Sequence, residues 1–261
     1  MAHVISRRQL LGASALSAVS ALAVMGAAGP SSPLRPARKS PTDRVPPRRE
    51  TSTAPARTEV FWRVSTADKL VALTFDDGPD PRWTPLVLDA LADHGAQATF
   101  FQMGDAVRAH PAVTEAVHPA GHEVASHSAR HTDLTDLSYD ELWDNLTLTH
   151  EAITDVTGTP PTLLRPPYGR IDSLGLFAAA ELGYQVALWS HHLPTWDAEA
   201  KVDLDVATAS PGTIILCHDG RGTPEEALYV AVRRLLSELT ADGYAFVTVS
   251  DLLAASQSVA V

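Results

Sequence analysis

The chain has 261 residues, of which 45% are hydrophobic, and a formal net charge of −11. The charge is uneven, because residues 1–58 hold nine Lys/Arg and two Asp/Glu, whereas residues 59–261 hold 11 and 29. So acidic a region repels nucleic acid at long range, and we predict no nucleic-acid partner. The single cysteine, Cys217, excludes an intramolecular disulfide.

The first 58 residues do not have the pattern of a folded domain. Arg7 and Arg8 precede an apolar, Ala-rich stretch, so residues 1–28 are predicted to be a twin-arginine signal peptide. This predicts an exported protein, either extracellular or associated with the cell wall. An uncleaved signal acting as a membrane anchor is the alternative. Residues 29–58 are rich in Pro, Arg and Ser and predict a disordered linker.

From about residue 60 onwards, apolar strand patterns alternate with helical patterns about seven times. We predict strands at 71–75, 98–101, 123–126, 162–164, 184–189, 213–217 and 244–249, and helices at 83–94, 105–120, 138–156, 172–182 and 223–241. Ser138 and Glu141 are expected to form a capping box. The alternation predicts a parallel sheet with helices outside it, an irregular (β/α) barrel in one domain over residues 59–261.

Polar motifs follow the predicted strands. They are TFDDGP at 74–79, HSARH at 127–131, RPPYG at 165–169, the segment 189–196 between two tryptophans, and LCH at 216–218. Barrel enzymes build their sites where strands end, so we expect these motifs to meet.

The first two motifs contain the ligand types that a divalent cation prefers. Asp76 and Asp77 are adjacent, and a turn at Gly78 can bring both carboxylates into one cavity. A turn of helix between His127 and His131 would place both imidazoles on one face. Carboxylates and imidazoles hold divalent ions, and hydrolysis also needs a base that is not a ligand. The residues therefore predict a metal-dependent hydrolase.

The later motifs add a rigid backbone segment at 165–169 and another histidine, His218, to these candidate residues. Two prolines stiffen the segment 165–169, which suits preoriented oxyanion donors. Leu216 and His218 share one strand face, so Cys217 faces away and is predicted to be a buried structural thiol. Asp219 is predicted to be only a turn residue.

The five motifs, in this order, resemble the polysaccharide deacetylases of carbohydrate esterase family four, the NodB-homology domain. The resemblance covers about residues 65–253 and implies a distorted (β/α)7 barrel, a single catalytic domain. It implies that Asp76 is the base and that Asp77, His127 and His131 hold the metal. Zn²⁺ is the first expectation for this cofactor, with Co²⁺, Mn²⁺ or Ni²⁺ as alternatives.

The same resemblance assigns the remaining site residues. It implies that Arg165 pairs with the base, Tyr168 stabilises the oxyanion through its main-chain N–H, Leu216 lines the acetyl pocket, Trp196 forms a wall, and His218 protonates the leaving amine. One motif departs from the family, because Thr195 stands where the pattern Asp-x-x-Asp-Trp has its second aspartate. Candidate replacements for that carboxylate are Asp197, His191 and His192, and we expect an altered pH profile.

The expected reaction is hydrolysis of N-acetyl groups of an amino-sugar glycan, of the chitooligosaccharide or peptidoglycan type, with release of acetate. The acetylated glycan is the expected partner, and no stable protein partner is predicted. One alternative is an O-deacetylase, such as an acetylxylan esterase, on the same fold. The other is a glycan-binding module without catalysis.

Overall fold

The computed structural model describes residues 57–194, 197–220 and 226–257. The predicted signal peptide, all but the last two residues of the predicted linker, Thr195 and Trp196 lie outside the described residues. Within the described part of the chain, no helix combines the length and the apolar character needed to cross a bilayer.

A parallel sheet forms the centre of the fold. Its strands are β1 (Val60–Phe61), β2 (Leu70–Asp76), β3 (Ala98–Gln102), β4 (Glu123–Ser126), β5 (Leu163–Leu164), β6 (Gln185–Ala187), β7 (His191–His192), β8 (Ile214–His218) and β9 (Ala245–Phe246). The strand order is β1-β6-β5-β4-β3-β2-β8-β7, and β9 pairs with β2.

Helices separate most of these strands in the chain. They are α1 (Thr84–Asp93), α2 (Gly104–Ala109), α3 (Pro111–Val117), α4 (Tyr139–Thr157), α5 (Ser173–Glu181), α6 (Ala198–Thr208), α7 (Glu226–Ala241) and α8 (Val249–Gln257). The predicted capping box of Ser138 and Glu141 is present at the start of α4.

The sheet curls because residues 185–192 contribute strands on both of its sides. β6 lies between β1 and β5 on one side, and β7, which begins four residues after β6 ends, pairs with β8 at the opposite end. Between them, the Ser190 N–H donates to the Ile214 carbonyl over 3.0 Å. The predicted (β/α) barrel is thus confirmed in a distorted form.

Alternation along β2 decides which side chains face the interior of the barrel. Val71, Leu73 and Phe75 belong to the core layer that β2 shares with the outer helices. Ala72 instead belongs to the interior cluster, which also contains Val249 of α8. The even-numbered side chains of β2 therefore point inward, and the strand ends on one of them, Asp76.

Some elements differ in extent from the predicted ones, and others, including β1, β7 and α8, were not predicted. The helix predicted at 105–120 is two helices, because Pro111 begins a new helix after His110 leaves the helical region of φ and ψ. The strand predicted at 244–249 pairs only over Ala245–Phe246, and Val249 already begins α8. α6 was not predicted, because its sequence has a weak apolar stripe: Ala198, Val202 and Asp205 are its buried residues.

Candidate active site

The end of β2 places two neighbouring carboxylates in one cavity. Asp76 continues the inward face of the strand, whereas Asp77 has a left-handed backbone with φ 73°. That turn brings the second carboxylate back to the first, since His127 Nε2 lies 3.7 Å from Asp76 Oδ2 and 3.5 Å from Asp77 Oδ1. Gly78-Pro79 is a cis peptide bond.

The segment from His127 to His131 is an irregular loop, so the expected turn of helix between the two histidines is wrong. Ser128 and His131 both have left-handed backbones, with φ 67° and 54°. The loop is held from outside, because the Ala129 N–H donates to Asn145 Oδ1 of α4 over 2.8 Å. The two imidazoles nevertheless meet, with ring centroids 5.1 Å apart.

Asp77, His127 and His131 form a buried group whose ligand atoms all lie within 4.8 Å of one another. His131 Nε2 lies 3.3 Å from Asp77 Oδ1. His127 Nδ1 is 2.8 Å from the Arg165 carbonyl oxygen, which can only accept, so this nitrogen carries the proton. In the neutral ring the Nε2 lone pair then faces carboxylate oxygens, and a divalent cation fits this donor set.

The electrostatics of the group also favour a cation. Burial alone would lower the pKa of His127, but the Asp76 and Asp77 carboxylates raise it overall. Burial alone would raise the pKa of Asp77, yet its hydrogen bond with His127 and the charges of neighbouring histidines lower it overall. Both carboxylates therefore strongly attract positive charge to this cavity.

Arg165 fills the barrel interior behind the carboxylates and is fully buried. Its Nη1 donates to Asp76 Oδ1 and to Thr74 Oγ1, each over 2.7 Å. Its Nε and Nη2 donate to the carbonyls of Ala187 and Leu188 over 3.0 and 3.1 Å. The guanidinium therefore holds Asp76 at a fixed position beside His127.

Tyr168 lies at the rim of the cavity. It belongs to a 3-10 helix over Pro167–Gly169 and has a left-handed backbone with φ 60°. Tyr168 is 56% exposed, and its ring meets the His131 ring edge-on, with centroids 4.5 Å apart. The segment 165–169 thus borders the group that can hold a cation.

The end of β8 lies beside the end of β2, with His218 in register with Asp76 and the buried Leu216 in register with Thr74. His192 of β7 contacts His218, with ring centroids 5.8 Å apart. The His191 ring lies instead 3.1 Å from Ser190 Oγ and from Thr208 Oγ1. Of the proposed replacements for the missing carboxylate, His192 is thus the one with a ring contact to His218.

Comparison with known proteins agrees with this geometry. The sequence profile described as polysaccharide deacetylase matches residues 63–187. A peptidoglycan-N-acetylglucosamine deacetylase of Bacillus cereus is 40% identical over 199 residues, which are 74% of this chain and 92% of that protein. The chain belongs to the polysaccharide deacetylase family. The resemblance to carbohydrate esterase family four is therefore confirmed, and the chain is an enzyme of the hydrolase class.

Two further deacetylases are similar to this one. A chitooligosaccharide deacetylase of Rhizobium leguminosarum is 35% identical, with 61% of this chain and 76% of that protein covered. The crystal structure of the Bc1960 peptidoglycan N-acetylglucosamine deacetylase superposes with a TM-score of 0.70 at 29% identity, over 73% of this chain and 91% of the other. This similarity confirms the distorted barrel of the deacetylase family.

Two residues of this deacetylase site were not anticipated in their observed roles. Asp219 is fully buried, so its interpretation as only a turn residue is wrong. Burial raises its pKa to about 7, and the charges of Asp77 and Asp76 add to the effect. Thr74 lies within the predicted strand 71–75, and its hydroxyl has the unanticipated role of accepting a hydrogen bond from Arg165. Cys217 packs in the outer core layer, as predicted for a structural thiol.

Proposed function

We propose that this deacetylase is a metal-dependent hydrolase that removes N-acetyl groups from an amino-sugar glycan and releases acetate. The observation that carries the proposal is the buried Asp77, His127 and His131 group beside Asp76, whose carboxylate is held by Arg165. A binding module needs no additional carboxylate, outside the ligand group, next to three potential ligands.

In this proposal Asp77, His127 and His131 are the metal ligands. One carboxylate and two imidazoles suit Zn²⁺ and leave a coordination position open, and Co²⁺, Mn²⁺ or Ni²⁺ accept the same donors. The bound cation would supply an acidified water and a polarised acetyl carbonyl.

The chain's own residues then move the protons. Asp76 accepts one from the attacking water, because Arg165 occupies its Oδ1 and leaves Oδ2 toward His127. His218 returns a proton to the leaving nitrogen, since an unprotonated amine is a poor leaving group. Asp76 and His218 are neighbours in register on adjacent strands, which lie about 4.8 Å apart. Base and acid therefore flank one reacting centre.

Three other residues bind the acetyl group and the glycan in this proposal. The main-chain N–H of Tyr168 donates to the developing oxyanion. Leu216, beside His218, contacts the acetyl methyl group. Trp196 forms a wall of the sugar site.

Peptidoglycan or a chitooligosaccharide is the proposed substrate class. Support comes from the relatives, one named for N-acetylglucosamine of peptidoglycan and one for chitooligosaccharides. A second candidate is O-deacetylation, as in an acetylxylan esterase. His192 and Thr195 stand where the family motif has carboxylates, and an ester leaves as an alkoxide that depends less on an acid.

An acetate-release assay tests both candidates. The full chain is incubated with chitooligosaccharides, peptidoglycan and acetylated xylan, first as purified, then with a chelator, and then with Zn²⁺, Co²⁺, Mn²⁺ or Ni²⁺ restored. We expect release from the first two substrates, its loss with chelator and its recovery with metal. His131→Gln should abolish release, whereas His118→Gln, at an exposed histidine, should not. Release that is indifferent to chelator and to His131→Gln would end the proposal, and preference for xylan would favour the second candidate.

We further propose that residues 1–28 export the protein, that 29–58 are a linker and that 59–261 are the catalytic domain. Support comes from Arg7, Arg8 and the apolar stretch that follows them. Substituting both arginines by Lys should retain the protein in the cytoplasm, and cell fractionation measures this. Wild-type protein in the membrane pellet would indicate an uncleaved anchor. Wild-type protein in the medium or the cell wall would indicate a cleaved signal.

A further inference from the structure

Asp219 is a buried carboxylate that the proposed reaction does not use. It follows His218 at the end of β8 and packs against the turn 76–80, which contains both Asp76 and Asp77. We infer that Asp219 is a positioning residue that holds this turn so that Asp77 can bind the metal and Asp76 can act as the base. The inference rests on the metal centre of the proposed function.

The backbone after β8 contacts the turn directly. The Asp219 N–H donates to the Asp76 carbonyl over 3.1 Å. Gly220 packs on the next residue, since a Cβ placed on it would lie 2.3 Å from the Asp77 carbonyl oxygen. The peptide groups of both carboxylate residues are thus held by residues 219 and 220.

The Asp219 side chain holds the turn from a second direction. Its Oδ2 accepts from the Thr84 hydroxyl over 2.6 Å, and the Thr84 hydroxyl oxygen accepts from the Asp80 N–H over 2.9 Å. Its carboxylate also lies against Gly78, where an added Cβ would be 2.5 Å from Oδ1 and 2.8 Å from Oδ2. The carboxylate therefore connects the turn to the first residue of α1.

This support matters because Asp77 has an uncommon backbone conformation. A left-handed φ of 73° at a residue other than glycine persists when the surrounding structure holds it. The same conformation brings Asp77 Oδ1 to 3.5 Å from His127 and 3.3 Å from His131. A turn that relaxed after loss of Asp219 would move this oxygen away from both imidazoles. Loss of groups that orient metal ligands commonly costs about 10- to 100-fold in affinity or activity.

Two pairs of variants in the full chain test the inference. Asp219→Ala removes the acceptor for Thr84, whereas Asp219→Asn keeps an acceptor oxygen of the same reach. Thr84→Val removes the donor, and Thr84→Ser restores it. Zn²⁺ affinity is measured by competition with a chromophoric chelator, and unfolding is measured on the metal-free protein. Acetate release gives kcat and KM separately.

We expect Asp219→Ala to weaken Zn²⁺ binding by about 10- to 100-fold and to lower kcat more than it raises KM. Asp219→Asn and Thr84→Ser should bind Zn²⁺ more tightly than Asp219→Ala and Thr84→Val, respectively. A folded Asp219→Ala protein with wild-type Zn²⁺ affinity and kcat would overturn the inference, even if its stability were lower. If Asp219→Ala does not fold, equal Zn²⁺ affinities of Thr84→Val and Thr84→Ser overturn it. A wild-type protein that binds none of Zn²⁺, Co²⁺, Mn²⁺ and Ni²⁺ would instead refute the proposed metal centre.

Discussion

Replacing Arg165 by Met tests how much the buried ion pair of Arg165 and Asp76 contributes to the stability of the fold. The guanidinium makes four hydrogen bonds inside the protein, to the Thr74 hydroxyl, one Asp76 oxygen and two carbonyls. Met fills similar space without donors or charge. Asp76, which is 3% exposed, would then remain as a buried carboxylate without its cation.

The size of the effect follows from this uncompensated charge. Removing one partner of a buried ion pair costs about 3–5 kcal/mol of folding free energy. For a domain of this size, each kcal/mol lowers Tm by about 2–4 °C, so a fall of roughly 6–20 °C is expected. Adding Asp76→Asn to Arg165→Met should recover part of the loss, because the stranded carboxylate is then neutral.

Urea unfolding of the metal-free chain measures the free energy of unfolding, and thermal unfolding measures Tm, both without interference from metal binding. Arg170→Met is the matched control, since Arg170 is exposed and pairs with Asp133 at the surface. Such a pair contributes about 0–1 kcal/mol. If Arg165→Met unfolded within about 1 kcal/mol of the wild type, or no lower than Arg170→Met, the account of the interior ion pair would be refuted.

Three further outcomes are expected. Burial, His218 and Lys201 lower the pKa of His192 to about 4, so the stability that the neutral ring gives is lost as pH falls from about 6.5 toward 4. His192→Gln should reduce this loss of stability by about 1 kcal/mol after solvent screening. If the urea midpoints of wild type and variant fell equally between pH 7 and pH 4.5, the prediction would be contradicted. Ser138→Ala should cost about 1 kcal/mol by urea unfolding and leave kcat unchanged, and a lower kcat would contradict a purely structural cap. Thr195→Asp should change the pH–rate profile of acetate release, and superimposable curves would exclude a tuning role for this position.

The meeting of the motifs was predictable from the sequence because of the sheet topology. Parallel strands present their carboxyl ends at one edge, so residues that follow β2, β4, β5 and β8 become neighbours whatever separates them in the chain. Ligand chemistry then indicated Asp76, Asp77, His127 and His131 as candidates, and the family resemblance assigned Asp77 as the ligand and Asp76 as the base. Neither step required the detailed path of the loops.

The path of the loops was the part that the sequence could not predict. A spacing of four between His127 and His131 fits a helical turn as well as a loop, and the left-handed backbone of Ser128 has no signal in its residue type. Asp219 followed by Gly220 is typical of a turn. Its burial depends on Gly78 and Thr84, which are distant in sequence and adjacent only in the fold.

The replacement of the family aspartate by Thr195 is expected to affect fewer site residues than the motif alone indicates. Without that carboxylate, Arg165 still donates four hydrogen bonds, to Asp76, Thr74 and two carbonyls. Since the guanidinium still holds Asp76, we expect the proposed base to be unaffected by the missing carboxylate. We expect the missing carboxylate to affect His218, the proposed acid, instead. Burial lowers the pKa of its ring neighbour His192 to about 4, so that ring is neutral near pH 7 and does not replace the negative charge. Thr195→Asp should therefore move the limb of the pH–rate profile that reports the acid and leave the limb of the base in place, and a shift of the base limb alone would contradict this division of roles.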